Sequence, residues 1–136
     1  MRKTLSIASI LLVACIFSPR ASAAGWEAPA DEYFGPLKQS ILEIRNRLDR
    51  YDAYGDRAPL GQEVIGALDG LERSIADWQH KYPRDPWLPR SLAHLMHEYW
   101  RAGAAYSPGA RECLAMIRLH SGSPETWAVL REVGVR

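Results

Sequence analysis

The chain has 136 residues, with 17 Lys and Arg against 16 Asp and Glu, a formal net charge of +1, and 47% hydrophobic residues. This length suits one domain, and the composition is that of a folded globular protein and excludes a disordered chain. Because positive and negative charges are nearly equal in number, the composition excludes a protein that binds nucleic acid by neutralising its phosphates. The chain has two cysteines without the spacing of a metal site, which excludes a disulfide framework.

The first 23 residues have the pattern of a secretory signal peptide. Arg2 and Lys3 precede an apolar run from Leu5 to Phe17, which is too short to span a bilayer as a helix. Small residues at Ala21 and Ala23 fit the A-x-A rule for signal peptidase cleavage. We therefore expect an exported protein that is periplasmic or secreted.

A lipoprotein signal of residues 1–14 is the alternative interpretation of the same segment. The run Leu12-Val13-Ala14-Cys15 resembles the bacterial lipobox, in which the cysteine is lipidated and becomes the new N-terminus. In that case the protein would be a membrane-anchored lipoprotein, attached through Cys15 without a spanning helix. In the first interpretation Cys15 is an ordinary apolar residue of a cleaved signal, and no membrane contact is expected.

Cleavage after Ala23 would leave a mildly acidic domain. It would remove Arg2, Lys3 and Arg20, so that 14 Lys and Arg remain against 16 Asp and Glu, a net charge of −2. Such a domain has no electrostatic reason to bind DNA or anionic lipid. Cys113 would be its single cysteine, and its apolar neighbours predict that it is buried.

We divide the chain after the signal into a flexible segment at 24–33 and a helical domain at 34–136. In the first half of this domain, apolar side chains recur at helical spacing. One stripe predicts a helix at about 34–54, stopped by Gly55, and a second predicts a helix that ends at Pro83. The short link between them favours an antiparallel hairpin. The stripes consist of Phe34, Leu37, Ile41, Ile44, Leu48 and Tyr51, then Leu60, Val64, Leu68, Leu71, Ile75, Trp78 and Tyr82.

Three short helices are predicted in the last third of the chain, each from a polar capping residue followed by proline. These pairs are Asp85-Pro86, Ser107-Pro108 and Ser123-Pro124, and Gly103 ends the first helix. The inward positions are Leu92, Leu95, Met96, Tyr99, Cys113, Leu114 and Ile117, and the last helix contains Trp127 and Leu130. The predicted fold class is all-α, with two antiparallel helical hairpins plus a short C-terminal helix.

Residues 78–133 resemble a family of helical-hairpin proteins. Asp85-Pro86 and Ser123-Pro124 are 38 residues apart, near the roughly 34-residue period of tetratricopeptide units. The stretch is similar to the tetratricopeptide-like helical pairs of bacterial outer-membrane assembly lipoproteins and envelope coordinators. The matching positions are Tyr82-Pro83-Arg84-Asp85-Pro86-Trp87-Leu88-Pro89, Leu92, Leu95, Tyr99, Gly103, Ala110 and Ile117.

The resemblance implies a helical scaffold that works through protein contacts, without catalysis and without a cofactor. The chain departs from the pattern where Leu119-His120-Ser121-Gly122 replaces a second Tyr-Pro. Since fewer than three repeats are present, self-association is an option for full burial of the helices. We therefore expect an exported protein-interaction module of the bacterial cell envelope; a secreted inhibitor or immunity-type protein remains an alternative.

His94, His97 and Glu98 are the candidates for a metal site. On a helix, residues three and four apart share a face, and zinc sites commonly use such spacing. The order His-x-x-His-Glu matches neither zinc-protease pattern, so we interpret both histidines as solvated or packed at the edge of the core. A small metal-binding protein or metal-dependent enzyme that uses these three residues is the alternative, and no catalytic residue is assigned.

Tryptophan and arginine, which dominate binding hot spots, interleave between residues 78 and 106. Tyr99 and Trp100 are adjacent and point about 100° apart on a helix, so both cannot lie at the centre of one buried face. Trp100 and Trp87 are therefore the better candidates for a surface contact. The predicted partner-binding residues are Arg84, Trp87, Arg90, Trp100 and Arg101, and the expected partner is a protein, not nucleic acid.

Overall fold

The computed structural model describes residues 26–53 and 61–132, and over these residues the chain is all-helical, with no strand beyond one isolated bridge. The five helices are α1 (Ile41–Ala53), α2 (Gln62–Lys81), α3 (Leu88–Arg101), α4 (Pro108–Leu119) and α5 (Pro124–Glu132). The predicted all-α class is confirmed. The predicted signal segment, Cys15, Gly55 and Leu60 lie outside the described residues.

None of the helices in the described ranges combines the length and the apolar composition that crossing a bilayer would require.

The α3 helix lies at the centre of the described bundle and contacts each of the other four helices. Its side chains Leu92, Leu95 and Tyr99 are fully buried, and burial of one such large apolar side chain contributes about 1.5–3 kcal/mol. The predicted pairing of α1 with α2 is only a small part of this arrangement, because α1 lies mainly against α3.

The first helix begins later than the predicted residue 34. Gly35 and Lys38 have φ angles of 67° and 48°, in the left-handed region, where a right-handed helix cannot continue. Phe34, just before this turn, is still fully buried, whereas Leu37 inside it is 55% exposed. Phe34 and Leu37 therefore have the spacing of apolar residues on a helix although they lie in a turn.

The chain ahead of α1 packs against α2 and the loop that follows α2. The Tyr82 hydroxyl donates to the Glu32 carboxylate at 2.6 Å, and the Ala28 N–H donates to the Asp85 carboxylate at 2.8 Å. These contacts extend the packed part of the chain ahead of residue 34, into the segment at 24–33 for which the sequence indicated flexibility.

The last two helices begin as the sequence predicts. Ser107 and Ser123 accept the N–H of Ala110 and of Thr126, each at 3.2 Å, and a proline follows as the first helical residue. Each serine satisfies one of the N–H groups that a helix start leaves without a partner. Gly103, with a φ of 70°, ends α3 as predicted.

The start of α3 differs from the prediction that Asp85 caps it directly. The helix begins at Leu88, and the residue at its N-cap position, Trp87, makes no capping bond through its side chain. Asp85 instead accepts from the Trp87 N–H at 2.9 Å and from the Trp78 indole N–H at 3.0 Å. Since Asp85 is also bonded to Ala28, its buried carboxylate joins three segments of the chain.

The inward positions of α4 and α5 are largely those predicted. Cys113 and Ile117 are fully buried and Leu114 is partly buried, while Leu130 is buried and Trp127 is 48% exposed. Burial raises the pKa of the Cys113 thiol, and a thiol held in its neutral form is a poor nucleophile. Cys113 is therefore a packing residue.

Candidate functional site

An open groove of about 480 Å³ lies where α3, α4 and the end of α5 meet. Leu114, which is partly buried, provides apolar contact area in it, and Met96 lies behind this surface as a buried residue of the lining. Tyr106, also in the lining, is 90% exposed. We call this feature the Trp100 groove, and its lining includes Met96, Trp100, Tyr106, Arg111, Leu114 and Glu132.

The two aromatic residues of the Trp100 groove lie at the end of α3 and in the loop that follows it. Trp100 lies in the last turn of α3, and its ring makes an edge contact with His97, with ring centroids 5.0 Å apart. Tyr106 lies in the loop after Gly103, and its carbonyl accepts a hydrogen bond from Arg111 Nη1 at 3.3 Å. The groove thus carries one partly buried ring at the end of α3 and one exposed ring in the loop that follows.

The second predicted aromatic residue lies elsewhere. Trp87 stands just before α3, and the Arg45 guanidinium carbon lies 4.4 Å from its ring centroid, a cation–π contact. Trp87 and Trp100 are separated by thirteen positions, about 20 Å along a helix. Arg90 borders the same small cleft as Trp87. The structure therefore does not bring the predicted partner-binding residues into one surface.

The two remaining arginines of the predicted set have different environments. Arg84 is exposed in the loop between α2 and α3. Arg101 faces α1, and its Nη1 donates to Asp52 and to Glu98, both at 3.0 Å. Arg101 is therefore part of a partly exposed ion-pair network at the junction of α1 and α3.

This network contains two of the three predicted metal ligands, His94 and Glu98. His94 Nε2 lies 2.9 Å from Asp52 Oδ2 and 3.9 Å from Glu98 Oε1. On the other side of the imidazole ring, Nδ1 lies 3.9 Å from Asp49 Oδ1. Asp52, His94 and Glu98 form what we call the α1–α3 cluster, in which three potential ligand atoms lie within 4.8 Å of one another.

The electrostatics of the α1–α3 cluster are set by a buried carboxyl group. Glu98 is 2% exposed, and this desolvation raises the pKa of its carboxyl to about 7, with Arg101 opposing the shift and Asp52 adding to it. His94 Nε2 is buried and has no hydrogen-bond partner among the described residues, since its short contact with Asp52 lacks hydrogen-bond geometry.

His97 does not join this cluster. It is exposed and packs against Trp100 on another side of α3. Asp52 takes the third place, and sequence reasoning missed it because the contact joins α1 to α3 across 42 residues. The one available signal was the pair of acids Asp49 and Asp52 in the last part of α1, whose partner on α3 no local spacing reveals.

Comparison with known proteins provides no relative from which to argue, because no family model, no curated protein and no solved structure matches the chain. A functional conclusion therefore rests on the geometry of the Trp100 groove and of the α1–α3 cluster.

Proposed function

We propose that the chain is an exported helical protein-interaction module of the bacterial cell envelope, without catalytic activity, and that the Trp100 groove is its binding surface. The observation that carries this proposal is the 90% exposure of Tyr106 beside Trp100 and the apolar side chains of Met96 and Leu114. Aromatic residues next to apolar surface are enriched at protein interfaces and supply most of their binding energy.

The shape of the Trp100 groove favours an apolar segment of a protein partner over a small molecule. A ligand pocket buries most of its ligand, whereas this groove is open and one of its aromatic walls stands in solvent. An amphipathic helix that lays its apolar face along the groove is the expected binding mode.

The finer arrangement of the helices belongs to the same proposal. We propose tetratricopeptide-like hairpins, supported by the packing of α2 on α3 and of α3 on α4 and by the cap-proline starts of α4 and α5. Packing of consecutive helices is how such scaffolds create a groove for a partner.

Export is supported by the sequence alone, through the apolar run from Leu5 to Phe17 and the small residues at Ala21 and Ala23. Mass spectrometry of the mature N-terminus decides between a free and an anchored form. A chain that begins at residue 24 is expected; a lipidated Cys15 would replace the free periplasmic form by the anchored one.

The proposed binding surface is tested by affinity capture from an envelope extract. Trp100→Ala and Tyr106→Ala are expected to lose a cross-linked partner that the unaltered chain retains, and Tyr106 is so exposed that its removal should leave folding intact. Trp127→Ala is the matched control, because Trp127 is a half-exposed tryptophan on α5 that is absent from the groove lining.

Equal capture by Trp100→Ala, Tyr106→Ala and Trp127→Ala would contradict the proposal, provided that far-UV circular dichroism shows each variant folded. If the captured partner is an enzyme whose activity the chain blocks, the inhibitor or immunity-type function replaces the scaffold.

A further inference from the structure

We propose that the α1–α3 cluster of Asp52, His94 and Glu98 is a binding site for one divalent transition-metal ion of the Zn²⁺ type. This inference is independent of the Trp100 groove, which contains none of the three residues.

The spacing of the three donor atoms fits a small metal ion. His94 Nε2 lies 2.9 Å from the Asp52 oxygen and 3.9 Å from the Glu98 oxygen, and all three atoms lie within 4.8 Å of one another. A zinc ion with bonds of about 2.1 Å to nitrogen and oxygen requires neighbouring ligands roughly 3–4 Å apart. The two carboxylate oxygens, at most 4.8 Å apart, would have to approach one another by up to about 1 Å to reach this range, which rotation of the side chains can supply.

The state of the imidazole also favours a metal. His94 Nε2 is buried and makes no hydrogen bond of regular geometry, its one short contact being the 2.9 Å approach to Asp52 Oδ2, and a metal ion bound by both atoms would satisfy them. If the ring proton is on Nδ1, which faces Asp49 at 3.9 Å, the lone pair of Nε2 points into the cluster. Asp49 Oδ1 lies beyond hydrogen-bond distance of Nδ1, and a closer approach would make it the outer partner that a metal-binding histidine usually has.

The charges of the cluster leave room for a second cation. Arg101 is the guanidinium that contacts Asp52 and Glu98, and Asp49 adds a third carboxylate near His94. Arg101 Nη1 donates to Asp52 Oδ1 and to Glu98 Oε1, so that Asp52 Oδ2 remains directed at His94 while the Glu98 oxygen is shared with the guanidinium. Asp49 and Asp52 together carry more negative charge than Arg101 offsets, and this excess favours a cation between them.

The ligand set indicates which ion would bind. One imidazole with two carboxylates suits Zn²⁺ and similar ions, while Mg²⁺ and Ca²⁺ prefer sites made of oxygen alone. Because one ligand comes from α1 and two from α3, the bound ion would fasten α1 to the central helix. Its role in this proposal is structural, and no reaction is assigned to it.

The test is calorimetric titration of the tag-free, chelator-treated full chain with Zn²⁺ alone. We expect one ion per chain with micromolar affinity, at least about tenfold weaker binding by His94→Ala and Asp52→Ala, and unchanged binding by His97→Ala. Asp52 is 59% exposed, so its variant should fold. His97→Ala is the matched control, an exposed histidine three residues away on the same helix.

A second readout is the thermal midpoint, which Zn²⁺ should raise in the unaltered chain and in His97→Ala but not in Asp52→Ala. The proposal is overturned if no ion binds at concentrations of about a hundred micromolar, or if His97→Ala weakens binding as much as His94→Ala. The second outcome would mean that Zn²⁺ binds exposed histidines adventitiously. Neither result bears on capture through the Trp100 groove.

Discussion

Asp85 shows how much of this fold depends on single polar side chains. Its carboxylate is 2% exposed and accepts hydrogen bonds from Ala28, Trp78 and Trp87. These donors come from the segment before α1, from α2 and from the start of α3. One residue therefore fixes the positions of three parts of the chain relative to one another.

Replacement of Asp85 by Ala is expected to lower the free energy of unfolding by about 2–4 kcal/mol, because buried donors left without an acceptor cost roughly 1–3 kcal/mol each and some will recover water. Urea denaturation measures the change. Glu125→Ala, at an exposed acidic position in the first turn of α5, is the control and should change little. A loss below about 1 kcal/mol for Asp85→Ala would show that its three bonds are dispensable.

His120 predicts a dependence of stability on pH. Burial lowers the pKa of His120 below its ordinary 6.5, and its Nε2 lies 3.1 Å from Gln79 Oε1. As the pH falls below 6.5, the unfolded chain therefore takes up a proton that the folded chain does not, and the free energy of unfolding decreases. The thermal midpoint should fall from pH 7 to pH 5 by more in the unaltered chain than in His120→Gln. An equal fall in both proteins would show that His120 does not contribute to the pH dependence of stability.

Substitution of two glycines by alanine is expected to change stability in opposite directions. A Cβ on Gly35, which has a φ of 67°, would lie 2.7 Å from the Ser74 Cα, whereas a Cβ on Gly66 in α2 meets nothing within 4 Å. Gly35→Ala should therefore destabilise the fold by about 2–4 kcal/mol through strain and overlap. Gly66→Ala should stabilise it by about 0.5–1 kcal/mol. Denaturation midpoints that shift in the same direction would contradict this reading.

At the scale of elements, the serine caps of α4 and α5 have a measurable role. Ser107→Ala and Ser123→Ala should each lower the free energy of unfolding by about 1 kcal/mol, because each leaves one N–H of the helix start without its acceptor. Chemical denaturation of both variants tests this, with Ser121→Ala at an exposed turn position as the control. No loss in either cap variant would mean that water replaces the serine at no cost.

The starts of α4 and α5 were predictable because their signals are local, a serine followed by proline at the first helical position. The start of α1 was not, since Phe34 and Leu37 continue its apolar spacing through a turn. Periodicity records the spacing of side chains but not the sign of φ. Only the pair Gly35-Pro36 indicates that a turn lies there.

In the candidate sites, too, contacts within one helix could be predicted from the sequence, whereas contacts between helices could not. His94 and Glu98 are four residues apart on one helix, so their proximity follows from the sequence. Asp52 joins them only because α1 lies on α3. Trp100 is partly buried in the structure, and its separation from Trp87 depends on where α3 begins.

For the whole molecule, the sequence predicts all-helical structure but not which helix lies in the middle. All predicted stripes look alike, and each offers one apolar face. The structure places α3 against the other four helices, with buried residues from Leu88 to Tyr99 on more than one side. The Trp100 groove and the α1–α3 cluster both depend on this arrangement, because each is built on α3 and a neighbour.

Amide hydrogen exchange of the folded chain, resolved by residue, tests this central role of α3 most directly. Helices with the most packing partners open only in global unfolding, while peripheral helices open locally. We predict that the amides of Leu92 to Tyr99 exchange more slowly than those of α1 and α5. Exchange in α3 that is as fast as in α5 would contradict the described fold and, with it, the geometry of both candidate sites.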